Sequence, residues 1–144
     1  MTGSAFERLR QHAREPHHYG PLEDADVVLE GGNPECGDLV TIYLKLEADG
    51  RTIADARFTG QGCGVSQAAA SLVLEHLHQH RWTLDDVIQA DFGLVQELVG
   101  AEAARARPRC ASLALSVLKA AVQKAERSQR YAELERSGHD TSES

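Results

Sequence analysis

Three cysteines and one aspartate are the residues of this chain that could act together in chemistry. Cys36 and Asp38 lie two positions apart in a turn-forming stretch, and Cys63 and Cys110 follow later. Three thiols cannot all form disulfides within one chain, and a carboxylate can supply a fourth donor. We interpret these four residues as one site for a metal ion and sulfur. Thiolates suit both zinc and iron–sulfur clusters, so the donors alone do not select the metal.

Simpler interpretations of the same residues remain open. Cys63 and Cys110 could be inert thiols in the core, and Asp38 could stabilise a local turn. The histidines His76, His78 and His80 follow a helical spacing but lack an acidic partner nearby, so we interpret them as a solvated surface rather than as ligands.

A predicted hairpin explains how two of the cysteines meet. Apolar and polar residues alternate over residues 39–46, which is typical of a half-buried strand. Asp49-Gly50 predicts a tight turn, and residues 52–58 form the return strand. Cys36 precedes the first strand and Cys63 follows the second, so antiparallel pairing brings both to the same edge of the sheet.

An apolar helical pattern follows Cys63 over residues 65–80, and Cys110 lies near the start of a second one over residues 108–122. A helix N-terminus favours the thiolate, so we predict that both thiols are activated. Glycines near the cysteines would let an ion, a sulfur atom or a partner approach closely. They are Gly37, Gly60, Gly62 and Gly64.

The remaining segments complete one predicted domain over residues 1–127. They are a short helix over 6–14, a strand over 26–30 that ends at the breakers 31–34, and one or two helices between 83 and 100. Residues 128–144 are charged and then rich in serine, which predicts a disordered tail.

Composition excludes several classes of function. The formal net charge of -7 argues against nucleic acid as a partner, because binding to phosphates relies on a basic surface. The N-terminus lacks the apolar core of a signal peptide, and no run of about 18 apolar residues occurs. We therefore expect no membrane association and a cytoplasmic protein, in which cysteines are more often ligands or nucleophiles than disulfides.

Three motifs occur in register with a known family. Residues 33–38 (NPECGD), 60–71 (GQGCGVSQAAAS) and 109–113 (RCASL) resemble those of the U-type iron–sulfur cluster assembly proteins, namely IscU, SufU and the NifU N-terminal domain. Residues 12–20 (HAREPHHYG) are similar to that family's first helix and exit loop. The resemblance covers about residues 5–125.

The resemblance implies an α+β fold, with a three-stranded antiparallel sheet, helices packed on one face and the site at one end. Cys36, Asp38, Cys63 and Cys110 then correspond to the metal and cluster ligands, with Cys110 as the first sulfur acceptor. The family's partners would be a cysteine desulfurase and apo iron–sulfur acceptor proteins. Such a protein is more a scaffold and sulfur acceptor than a stand-alone enzyme.

Three departures place the chain between the branches of this family, two from IscU and one from SufU. Arg109 stands where the IscU branch has a histidine, and this substitution resembles SufU. Residues 106–108 (ARP) stand in place of the chaperone-recognition motif of IscU. The segment 64–109 is short for SufU, which usually carries an insertion there.

Arg109 stays protonated and cannot be a ligand, so the fourth ligand would be Asp38. Its guanidinium could instead contact a sulfur species or Asp38 from outside the ligand set, or face solvent. We therefore expect Zn²⁺ in the resting state and a 2Fe–2S cluster transiently. The alternatives are a zinc-dependent sulfur relay that builds no cluster and a zinc-stabilised interaction module.

Overall fold

The computed structural model describes residues 2–33 and 37–142. A three-stranded sheet follows the first helix, and further helices follow the sheet. The elements are α1 (Thr2–Arg14), β1 (Val27–Asn33), β2 (Asp38–Leu46), β3 (Ile53–Gln61), α2 (Gly64–Gln79), α3 (Leu84–Gln89), α4 (Phe92–Val99), α5 (Ala101–Ala106) and α6 (Pro108–Ser142).

The sheet is antiparallel in the order β1-β2-β3, and the hairpin of β2 and β3 confirms the prediction from the alternating pattern. Val40, Ile42 and Leu44 are 0% exposed, whereas the residues between them face the opposite side and are only half-buried. The buried face is covered by α2 and α6. This arrangement confirms an α+β fold with helices on one face of a three-stranded sheet.

β1 is longer than the sequence predicted. Gly31, Gly32 and Asn33 were expected to break the strand, but they pair with Val40, Leu39 and Asp38 of β2. A Cβ atom on Gly31 would overlap the side chain of Val117 on α6. Glycine therefore marks a close approach between helix and strand rather than a break.

The helices build the core on the covered face of the sheet. α1 packs on α2, as its short length requires. Thr83 and Asp86 form a capping box that begins α3, and Asp91 caps α4 through the N–H of Leu94. The largest fully buried side chains come from both sheet and helices, including Phe58, Ile42, Leu44, Leu74, Leu77 and Leu118.

α6 continues to Ser142, so the same helix lies on both sides of residue 127. The division of the chain at that position, and disorder in residues 128–144, stay predictions. Among the residues that the structure describes, no helix is long and apolar enough to cross a membrane.

Candidate functional site

Three of the four predicted metal ligands converge at one end of the sheet. Asp38 is the first residue of β2, Cys63 lies between β3 and α2, and Cys110 is in the first turn of α6. One donor atom from each lies within 4.8 Å of the other two. Asp38 and Cys110 are each only 2% exposed, and Cys63 is half-buried. These residues come from three separate elements, and the fold brings their donor atoms together.

The carboxylate of Asp38 has two different oxygens in this arrangement. Oδ1 accepts a hydrogen bond of 2.9 Å from the backbone N–H of Cys63. Oδ2 is buried and has no hydrogen-bond partner within residues 2–33 and 37–142. A buried charged oxygen without a partner is costly, and a cation would remove that cost. The donor set of two sulfurs and one carboxylate oxygen fits Zn²⁺ and leaves room for a further ligand.

Gly62 makes this position of the carboxylate possible. Its φ of +141° is one that residues with a side chain rarely adopt. A Cβ atom there would also collide with the carboxylate of Asp38. Gly62 thus allows the β3–α2 turn to close over Asp38 and to direct the N–H of Cys63 at Oδ1.

The other glycines of the motifs differ in role. A Cβ atom on Gly60 would collide with the backbone carbonyl of Leu39, so Gly60 permits close strand pairing. Gly37 has a φ of +71°, and no described atom lies within 4 Å of where its Cβ would be. At Gly64 the nearest neighbour is the Cβ of Ala13 at 3.5 Å, an ordinary contact. All four glycines were predicted to allow close approach to the site. Of the four, Gly62 is the one where a Cβ atom would collide with a site residue, namely the carboxylate of Asp38.

Cys63 is the N-cap of α2, as predicted. Burial raises the pKa of its thiol, but this effect is outweighed by the N–H groups of Ser66 and Val65 and by the Cys110 thiol, so the pKa falls below its ordinary value. The Cys63 side chain does not meet the geometry of a capping hydrogen bond. The nearby N–H groups nevertheless stabilise the negative charge of the thiolate. Cys63 is an activated and partly accessible thiol.

Cys110 does not gain the expected activation. Burial raises the pKa of its thiol far above the ordinary value, and the adjacent Asp38 carboxylate and the Cys63 sulfur raise it further. These effects exceed the benefit of a position in the first turn of α6. The prediction that both helix starts favour a thiolate is therefore wrong for Cys110 in the metal-free protein. The thiol is buried beside the Asp38 carboxylate and the Cys63 sulfur, and these surroundings disfavour a further negative charge.

Two predicted site residues are not assigned a position in this cluster. Cys36 lies outside the described residues, so its role as a ligand stays a prediction. Arg109 immediately precedes Cys110 and is exposed, and its role beside the ligand set also stays a prediction.

Gln67 is a half-buried polar residue near Cys63 that the sequence did not single out. It lies one turn into α2, its N–H donates to the carbonyl of Cys63, and its buried Nε2 has no partner within the described ranges 2–33 and 37–142. Its position four residues after Cys63 on the same helix was the available signal.

The histidines on α2 are less solvated than predicted. His76 and His78 are half-buried, and only His80 is exposed. The ring of His78 stacks on that of His18 with centroids 4.1 Å apart, and its Nε2 lies 3.1 Å from the carbonyl oxygen of Ala56. The interpretation as a solvated surface is wrong for two of the three, because His18 and Ala56 cover His78 and the ring of Trp82 packs on that of His76.

Comparison with known proteins identifies the family. The model of the NifU-like N-terminal domain matches residues 6–132. This chain belongs to the NifU-like N-terminal domain family. The iron–sulfur cluster assembly scaffold protein IscU of Thermotoga maritima is 42% identical over 91 residues, which span 63% of this chain and 58% of that protein. The zinc-dependent sulfurtransferase SufU of Bacillus subtilis is 31% identical over 133 residues, or 82% of this chain and 88% of that protein.

Solved structures agree on the fold of this NifU-like domain. A NifU-like protein (N-terminal) from Brucella abortus superposes with a TM-score of 0.69 at 18% sequence identity, over 88% of this chain and 99% of that one. At this identity the likeness shows the fold alone. The resemblance to the U-type family is thus confirmed, and relatives from both its IscU and SufU branches are similar to this chain.

Proposed function

We propose that this protein accepts sulfur, as a persulfide, from a cysteine desulfurase and holds zinc or a nascent 2Fe–2S cluster. The site would comprise Cys36, Asp38, Cys63 and Cys110. One observation carries the proposal: two thiols and a carboxylate with an unpartnered oxygen converge within 4.8 Å in a NifU-like domain. The cysteine desulfurase and the apo acceptor proteins are proposed from the family resemblance, and the cytoplasmic location is proposed from the sequence.

The sulfur transfer is a thiol exchange and needs no oxidant. A thiolate of this protein attacks the outer sulfur of the desulfurase persulfide. A new S–S bond forms on the receiving cysteine, the S–S bond of the donor breaks, and the desulfurase cysteine leaves as a thiolate. A later reduction of that sulfur to sulfide for a cluster requires two electrons from a thiol or protein reductant.

The chain's own residues determine which thiol can attack. On the family pattern Cys110 is the first acceptor, but its raised pKa and burial make it a poor nucleophile in the metal-free protein. A bound zinc ion would hold its ligand thiols as thiolates. Cys63, which is half-buried and has a lowered pKa, is the alternative acceptor.

A zinc-dependent sulfur relay is the second candidate function. It is favoured by 31% identity to the zinc-dependent sulfurtransferase SufU over 88% of that protein. The same thiols and the same desulfurase would serve it, but no cluster would form. An interaction module stabilised by zinc would carry out neither reaction.

Anaerobic reconstitution tests these functions. The protein is incubated with Fe²⁺, cysteine, dithiothreitol and a cysteine desulfurase, and optical spectra and zinc content are recorded. A parallel incubation with cysteine and the desulfurase alone supplies mass spectra of the cysteine peptides, because dithiothreitol would reduce a persulfide. A cluster that transfers to an apo acceptor supports the scaffold, and faster desulfurase turnover with zinc retained and no cluster supports the relay. Persulfide on Cys110 supports its role, and persulfide on Cys63 alone assigns the role to Cys63.

Variants make the result specific. Cys63→Ser and Asp38→Asn should each reduce zinc content and sulfur transfer, whereas Ser116→Cys adds a thiol on the exposed face of α6, away from the donor cluster, and should change neither. Absence of zinc, persulfide and cluster in the wild-type protein would overturn the proposal.

A further inference from the structure

A second cluster of metal-binding side chains lies where α1 and its exit loop meet α2. His12 is near the end of α1, His17 follows in the loop, and Glu75 is on α2. One donor atom from each lies within 4.8 Å of the other two. The sequence separates Glu75 from both histidines by more than fifty residues, so only the fold reveals the set.

The three side chains differ in exposure in a way that suits an open site. The side chain of His12 is 6% exposed, that of Glu75 30% and that of His17 45%. His12 and Glu75 would thus form the floor of the site, and His17 its solvent-facing side. A fourth position remains for water, as in zinc sites with two histidines and one glutamate.

His17 and Glu75 contact each other directly through a hydrogen bond, and a bound ion would take the place of that contact. Nδ1 of His17 lies 2.6 Å from Oε1 of Glu75, while Nε2 of His12 lies 3.8 Å from Oε2, which is too long for a hydrogen bond. Ligand atoms of a tetrahedral zinc site with bonds of about 2.0 Å are about 3.3 Å apart. Small side-chain movements would bring all three donors to that spacing.

The ring of the buried His12 is oriented by a hydrogen bond to Ser71. Nδ1 of His12 lies 2.6 Å from Oγ of Ser71, and the same Oγ accepts a hydrogen bond of 2.7 Å from the backbone N–H of His17. Such a contact at one ring nitrogen orients the other toward a metal, and it recurs behind metal-binding histidines. Ser71 therefore positions both histidines, one through its ring and one through its backbone.

We propose that His12, His17 and Glu75 form a second binding site for a divalent transition metal of the zinc class, separate from the cysteine cluster. Two imidazole nitrogens and one carboxylate oxygen are suitable ligands for such ions. Glu75 lies twelve residues beyond Cys63 along α2, about 18 Å at 1.5 Å per residue, so the two sites cannot share an ion. The inference does not rest on the proposed sulfur function.

Calorimetric titration with Zn²⁺ tests the site. The metal is first removed with a chelator, and the full chain is compared with His17→Ala, Glu75→Gln and the control His80→Ala. His17 and Glu75 are partly exposed, so these two variants should keep the far-UV circular dichroism of the wild type. His80 is an exposed histidine that lies outside the cluster.

We expect His17→Ala to bind one zinc fewer than the wild type. Glu75→Gln should bind that zinc at least about tenfold more weakly, and His80→Ala should match the wild type. This difference is independent of the cysteine site: if that site held no zinc, the wild type would bind one ion and His17→Ala none. Equal stoichiometry and affinity in the wild type and both cluster variants, or an equal loss in His80→Ala, would overturn the inference.

Discussion

Replacement of Gly62 by alanine should damage the metal site more than any neighbouring glycine replacement. The residue adopts a φ of +141°, and a Cβ atom would occupy the space of the Asp38 carboxylate. The carboxylate must then move, and it loses the hydrogen bond of 2.9 Å from the N–H of Cys63. One added methyl group should therefore lower the stability of the fold and displace the Asp38 oxygen that is available to a metal ion.

The two effects can be estimated separately. A side chain held in a rarely populated backbone region costs about 1–3 kcal/mol, and loss of a hydrogen bond to a charged group costs about 1.5–3 kcal/mol. A combined destabilisation near the lower end of these ranges, about 3 kcal/mol, lowers the Tm of a domain of this size by about 6–12 °C. The affinity for Zn²⁺ should fall as well, because the carboxylate no longer faces the thiols.

Two matched glycines separate strain from collision. Gly64→Ala has neither, since its Cβ would make only an ordinary contact with Ala13, and we expect a Tm equal to or slightly above that of the wild type. Gly37→Ala has strain at a φ of +71° but no described atom within 4 Å, and should cost about 1–2 kcal/mol. Thermal unfolding and zinc titration of the three variants form one series.

The Asp38→Ala background isolates the collision. With no carboxylate to displace, Gly62→Ala should cost at least about 1 kcal/mol less there than in the wild type. A Tm of Gly62→Ala equal to that of Gly64→Ala, or equal costs of Gly62→Ala in the two backgrounds, would refute this account of the site.

Two further predictions concern the thiols and the sheet. Iodoacetamide should modify Cys63 of the metal-free protein before Cys110, and at a lower pH than it modifies an ordinary thiol, because the pKa is lowered at Cys63 and raised at Cys110. Peptide mass spectrometry that shows Cys110 modified first would contradict this. Gly31→Ala should destabilise the protein by about 1–3 kcal/mol through overlap with Val117. Val117→Ala in addition should restore part of the loss in thermal unfolding, and an unchanged Tm in Gly31→Ala would count against the contact.

Local patterns were sufficient to predict the hairpin. The alternation of Val40, Ile42 and Leu44 and the turn at Asp49-Gly50 are short-range signals. They predicted that Cys36 and Cys63 share one edge of the sheet, and in the structure the same pairing brings Cys63 beside Asp38. The convergence of these residues follows from strand geometry, which the sequence encodes directly.

Other features depended on contacts between distant elements. Gly31 has a strong local preference for turns, but it pairs with Val40 of β2 as part of β1 and packs closely against Val117 on α6. The position of Cys110 at a helix start was predicted, but its burial beside Asp38 depends on how α6 packs on the sheet. The cluster around Glu75 could not be predicted, because no local pattern brings α1 and α2 together.

The divided carboxylate of Asp38 has a thermodynamic consequence. One oxygen orders the turn that carries Cys63, and the other is available to an ion, so the two events share one side chain. Coupling of this kind is reciprocal: whatever the bound metal gains from an ordered turn, the turn gains from the metal. A partner that loosens the start of α2 would thereby weaken the hold on the ion, and departure of the ion would make the backbone around Cys63 easier to move.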